Sequence, residues 1–254
     1  MKQKTLSLRP TKAGQARMAV NPVSPLSRYF DALFFALGPR KWWPAKTQFE
    51  VIVGAILTQN TAWVNVEQAM ENLRKEKMLS VRSMERAELG RLARLVRPSG
   101  YFRQKAKKLK AFTKFLRVQF AGSLSKMFRT PTTRLREQLL AVHGIGPETA
   151  DSILLYAGGH TVFVVDAYTR RILERHALAQ ADLPYEEMQS LLETSLPRDA
   201  QLYNEFHALI VEAGKRWCRR ENPRCDQCPL RPFLPEEKVV PSPEVRAGVM
   251  EAQV

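Results

Sequence analysis

The chain has 254 residues, 44% of them apolar, which is enough to bury a sizeable core in one or two compact domains. Forty Lys and Arg against 25 Asp and Glu leave a net charge of +15 and point to a polyanionic partner. No run reaches the ~18 apolar residues of a membrane span, and Met1 to Pro25 lacks the apolar core of a signal peptide. A cytoplasmic protein with no membrane partner is therefore expected, and its three cysteines are not expected to pair as disulfides.

Taken in chain order, the pattern is helical, without internal repeats. Residues 1–25 read as a flexible basic tail. Ser24-Pro25 starts a helix that runs to Leu37, where Gly38-Pro39 stops it. Thr47 and Glu50 form a capping box ahead of the apolar run Phe49 to Leu57. Further helices are predicted over Val64 to Lys75, Met84 to Leu95 and Lys105 to Phe120. From Arg91 to Arg136 there are fourteen Lys and Arg and no Asp or Glu. The densest part, Gly100 to Phe120, interleaves cations with Phe102, Leu109, Phe112, Phe115 and Leu116 at helical spacing, an apolar stripe inside and a basic face outside.

Helices over Thr133 to Val142 and Pro147 to Tyr156 flank the turn His143-Gly144-Ile145-Gly146. Ile145 is an apolar plug, the two glycines let the backbone approach a ligand, and Pro147 occupies the first helical position. The free N–H groups of that second helix make an anion site, so helix, turn and helix read as a hairpin for gripping a DNA phosphate. Thr161 to Val165 is extended or coiled, and Asp166 opens the next helix. Helices over Pro184 to Leu192 and Leu202 to Arg216 follow, and residues 236–254 read as a disordered tail.

Four segments carry a family resemblance: FEVIVGAILTQNT at Phe49 to Thr61, HGIGPETADSILLYA at His143 to Ala157, VVDAYTRRIL at Val164 to Leu173, and a C-terminal C-x6-C-x2-C run. Together they resemble the endonuclease III (HhH-GPD) superfamily of DNA glycosylases. Trp42 to Pro44, Thr58 to Thr61 and Glu148 to Leu154 look most like its monofunctional 3-methyladenine branch. The resemblance implies an all-α, two-domain fold. A six-helix barrel domain with the helix-hairpin-helix spans 47–161, and a discontinuous helical domain combines 26–46 with 162–235. It also implies a monomer that acts on double-stranded DNA containing a damaged base, in the cytoplasm near the nucleoid.

On that reading Asp166 matches the catalytic aspartate, which would stabilise oxocarbenium charge as the base–sugar bond breaks. An Asp before a helix is also an N-cap, and both roles are compatible. Glu148 stands where bifunctional members carry a lysine, and a carboxylate cannot form an imine with the sugar, so strong lyase activity is not expected. Trp42, Trp43 and Trp63 match the base pocket, where indole faces would attract a cationic methylated base; core packing is the alternative. Gln59, Gly144, Ile145, Gly146, Thr149 and Lys105 are the expected DNA-binding residues, with Gln59 filling the gap left by the flipped nucleotide or serving as a buried amide. Cys218, Cys225 and Cys228 have the spacing of a [4Fe-4S] site, but the fourth position is Leu234. A cluster on three thiolates, a zinc ion and no metal all remain open, since no nearby histidine offers itself; His207 lies eleven residues before Cys218. A mismatch or oxidised-base glycosylase and a non-catalytic DNA-binding module are the rival functions.

Overall fold

The computed structural model describes residues 24–40 and 45–235, and among them every regular element is helical. The elements are α1 (Pro25–Leu37), α2 (Gln48–Leu57), α3 (Trp63–Lys75), α4 (Val81–Arg86), α5 (Leu89–Leu95), α6 (Phe102–Phe120), α7 (Leu124–Met127), α8 (Thr132–Leu140), α9 (Pro147–Ser152), α10 (Ala167–Arg175), α11 (Tyr185–Ser195) and α12 (Ala200–Arg216). No helix among the described residues is long and apolar enough to cross a membrane.

Local chemistry accounts for most of the boundaries. Ser24 Oγ accepts from Leu26 N at 3.2 Å to start α1, and Gly38 ends it at φ 65° with its N–H on Phe34 O. Thr47 Oγ1 accepts from Glu50 N at 3.2 Å, but Glu50 does not return the bond, because its carboxylate pairs with Arg74 across the interface with α3. Only half of the expected capping box forms. The helix expected over Met84 to Leu95 is two helices. Ser80 caps α4 through Ser83 N, and Ala87 then adopts an extended conformation at ψ 139°, which breaks the run.

Packing divides the helices into two groups. α2 lies against α3, α6 and α9, with α4 and α5 on α6 and α8 on α9. α1 packs on α11 and α12, and α10 packs on α12. The buried apolar side chains nevertheless form one continuous cluster. The link between the groups is the segment Val162 to Val165, which crosses the core with no helical or sheet pairing of its own.

A buried backbone of that kind needs partners, and α11 supplies them. Phe163 N donates to Glu193 Oε1 at 2.8 Å, Phe163 O accepts from Gln189 Nε2 at 2.6 Å, and Val165 N donates to the Tyr185 hydroxyl at 3.3 Å. Gln189 Nε2 also reaches Asp151, whose carboxylate is bidentate with Arg136 at 2.8 and 3.1 Å. This polar knot ties α8, α9 and α11 to the crossing segment, and so fixes where Asp166 emerges.

Candidate active site

Asp166 stands at the end of the crossing segment as the N-cap of α10. Its Oδ1 accepts from Thr169 N at 2.8 Å and from Thr169 Oγ1 at 2.9 Å. The Asp166 side chain lines a cavity of about 140 Å3. Glu148, Trp63, Tyr156, His207 and Lys215 line the same cavity. The cap reading of Asp166 is therefore correct locally, and the cap bonds engage only Oδ1.

After α9 the helix widens into a π turn over Ile153–Ala157, marked by Gly158 N on Ile153 O at 3.1 Å. Such turns aim side chains that a continuous α-helix would place elsewhere. Here the turn brings the Tyr156 hydroxyl to 2.6 Å from His207 Nδ1. His207, buried on α12, presents its Nε2 at 3.7 Å from Asp166 Oδ2.

Glu148 is exposed at the surface and also lines the cavity. Loss of hydration, and then the nearby Asp166 charge, raises its pKa to about 7. Burial holds the His207 imidazole below its usual value despite the opposing pull of Asp166, and burial with both carboxylates keeps the Tyr156 phenol protonated. The cavity thus holds the capping Asp166 side chain, a Glu148 carboxyl that carries a proton near neutrality, and a neutral imidazole.

The hairpin turn has the expected form. Gly144 sits at φ 82°, where a side chain is strained, and a Cβ there would meet Lys108 Cγ at 2.4 Å. A Cβ on Gly146 would meet nothing within 4 Å, so its surface is open to a ligand. Ile145 is 4% exposed, a true plug. Gln59 braces the turn, with Nε2 donating to Gly144 O at 3.1 Å and to Thr149 Oγ1 at 2.8 Å while Oε1 accepts from Lys108. Gln59 and Thr149 also line the cavity, which joins the hairpin to the carboxylates.

One expected residue falls elsewhere. Lys105 is 2% exposed, inside the protein rather than on the basic face, and its ammonium is held by Ser99 O. Burial, with Lys108 next, lowers its pKa to about 8. The clue was available in the spacing, since residues 105, 109, 112 and 116 share one stripe of α6. Lys108, which the sequence reading passed over, is the cation beside the hairpin. Trp63 is half-buried and lines the cavity, whereas Trp42 and Trp43 lie outside the described residues.

Cys218, Cys225 and Cys228 do converge, on a second cavity of only about 10 Å3 that His176 and Leu234 also line. His176 arrives from the end of α10 and accepts or donates at Nδ1 with the Tyr29 hydroxyl at 2.9 Å, a neighbour that sequence distance hides. Cys218 Sγ takes a hydrogen bond from Arg175 at 3.2 Å, Arg171 Nε holds Cys218 O at 2.7 Å, and burial raises the Cys228 thiol to about 11. Among the described residues no three such side chains are arranged to hold a metal ion, and Leu234 offers no donor. Three cysteines are one short of the four thiolates that normally hold a [4Fe-4S] cluster.

The all-helical fold and the hairpin beside a carboxylate-bearing cavity define a DNA-repair class. The chain belongs to the HhH-GPD superfamily of base excision DNA repair proteins, whose family model matches residues 53–198, and it is a DNA N-glycosylase. Among its relatives, a Methanocaldococcus jannaschii protein provisionally named a DNA repair glycosylase is 43% identical over 85% of this chain and 98% of its own length. Endonuclease III of Thermotoga maritima is 30% identical over 72% of this chain and 80% of its own. The crystal structure of H. pylori 3-methyladenine DNA glycosylase bound to 1,N6-ethenoadenine superposes with a TM-score of 0.66 at 33% identity, covering 74% of this chain and 96% of that one. A non-covalent endonuclease III–DNA complex superposes at 0.71 with 22% identity, covering 83% and 94%, a likeness of fold.

Proposed function

We propose that this glycosylase releases an alkylated purine from double-stranded DNA by hydrolysis, without strong strand-cleaving lyase activity. One observation carries the reading: Asp166 and Glu148 share a single cavity, walled by aromatic rings, at the foot of the DNA-gripping hairpin. The flipped nucleotide enters there with its base against Trp63 and its sugar against Asp166. As the glycosidic bond lengthens, the Asp166 carboxylate stabilises the positive charge on the sugar, and water forms the new C1′–O bond, losing its proton to solvent. Glu148, protonated in about half of the molecules at pH 7 when its pKa is about 7, supplies a proton to the departing base where that base needs one. A methylated purine, already cationic, leaves without it.

The structure with 33% identity holds an alkylated adenine, which supports the purine assignment. Glu148 at the position of the lyase lysine supports hydrolysis over imine chemistry. The test is release of free base from duplexes carrying 3-methyladenine, 7-methylguanine, hypoxanthine, mismatched uracil or 8-oxoguanine, with borohydride trapping run alongside. Release of the methylated purines, little trapped adduct and uncut abasic strands are expected. Release of uracil or 8-oxoguanine alone defeats the substrate assignment. Efficient trapping defeats the hydrolytic one and directs attention to Lys215, the amine on the cavity wall.

A further inference from the structure

We propose that His207 is a positioning residue for Asp166, held by Tyr156 in the tautomer that turns its Nε2–H toward the carboxylate. The inference rests on the reading of Asp166 given above.

The geometry allows two arrangements, and electrostatics decides between them. If Tyr156 accepted from Nδ1–H, the Nε2 lone pair would face the Asp166 Oδ2 lone pairs at 3.7 Å, a repulsive contact. If instead the Tyr156 hydroxyl donates to Nδ1 at 2.6 Å, the imidazole proton sits on Nε2 and points at the anion. A protonated phenol can donate or accept, and a neutral imidazole has one nitrogen of each kind, so Tyr156 accommodates either tautomer and the contact between Nε2 and Asp166 decides.

His207 is 5% exposed and its Nε2 has no hydrogen-bond partner in the protein. A buried N–H left unsatisfied carries a desolvation penalty, so the atom is poised for an acceptor. The separation of 3.7 Å is longer than a hydrogen bond, and catalytic contacts of this kind tighten when substrate is bound. The ring is held in place by the edge of Phe163, 6.4 Å between centroids, and by Tyr156. Because Thr169 fixes only Oδ1, the plane of the carboxylate is free to swing about that anchor. A donor on Oδ2 fixes the plane, and with it the distance from the charge to the sugar.

The experiment is single-turnover release of whichever damaged base the wild type excises fastest, with DNA affinity measured by anisotropy and folding by thermal melting. His207→Leu is expected to lose about 10- to 100-fold in rate, the range for groups that orient a reacting ligand, with little change in DNA affinity. His207→Gln, whose amide nitrogen reaches the place of Nε2, should recover most of that loss. Tyr156→Phe should slow the wild type but not the His207→Gln background, since an amide has no tautomer to lock. Equal losses for Leu and Gln, a His207→Leu rate close to wild type, or the same Tyr156→Phe effect in both backgrounds would overturn the proposal. Where His207→Leu does not fold, the Gln and Phe variants and their double mutant decide it. An Asp166→Asn variant separates the two readings. If it is inactive while His207→Leu is normal, only the positioning role fails; if it is fully active, the role of Asp166 fails first.

Discussion

Replacing Asp166 by Asn removes a charge while sparing the local fold. The side-chain oxygen of Asn caps helices as well as that of Asp, so the bonds from Thr169 N and Oγ1 at 2.8 and 2.9 Å survive and α10 should keep its start. What disappears is the negative charge on the cavity side. For a sugar cation about 4 Å from the carboxylate in surroundings of effective dielectric near 20, the interaction is about 4 kcal/mol. That is about a thousand-fold in rate. The amide adds an orientation conflict, because its NH2 now faces the His207 Nε2 across the 3.7 Å gap. Single-turnover base release with enzyme in excess should therefore fall by about two to three powers of ten, with duplex affinity and melting temperature close to wild type. A variant that turns over within about threefold of wild type would refute electrostatic stabilisation by this residue, since the interaction worked out above leaves no room for so small an effect.

The remaining predictions concern stability, the hairpin and the cysteines. Glu148 binds its proton more tightly folded than unfolded, so its stabilising contribution is complete below its ordinary value of 4.5 and is lost as pH rises through about 7. The melting temperature of Glu148→Gln relative to wild type should accordingly climb across that window, and a flat difference would show the carboxyl to be ordinary. Asp151→Ala strands the Arg136 guanidinium and the Gln189 amide around a fully buried site, and urea unfolding should report a loss of about 3–5 kcal/mol. Gly144→Ala forces a side chain to φ 82° against Lys108, which should lower stability by about 1–2 kcal/mol and weaken duplex binding more than the melting shift alone explains. Anaerobically purified protein should bind no stoichiometric iron, and Cys225→Ser should keep its activity; a brown chromophore lost in that variant would show the cysteine loop to be a cluster site after all.

Features that depend on neighbours in sequence could be read before the fold was known. The hairpin turn, the helix start at Ser24, the cap at Asp166 and the non-helical course of Thr161 to Val165 all follow from local propensity, and all appear as expected. The failures come from partners far apart in the chain. Glu50 leaves its capping box because Arg74, twenty-four residues on, offers a charge. Lys105 looks like one more cation in a basic run until α6 is wound and the residue falls on the stripe of Leu109 and Phe112. His176 and His207 carried no motif, and only the packing of α10 and α12 puts one beside the cysteines and the other beside Asp166. A histidine on an apolar helix face says nothing about which carboxylate or thiol it will meet.

The π turn at Ile153–Ala157 sets stability and turnover against each other. It houses one residue more than α-helical winding accepts, visible in the bond from Gly158 N to Ile153 O in place of the usual spacing. Deleting a single residue from the turn would let the helix close into regular geometry, a gain in backbone hydrogen bonding. The same deletion would rotate Tyr156 by about 100° around the helix axis and carry its hydroxyl away from His207, 2.6 Å distant in the present register. A selection for heat resistance alone should therefore tend to erase the turn, and a selection for base release should tend to restore it.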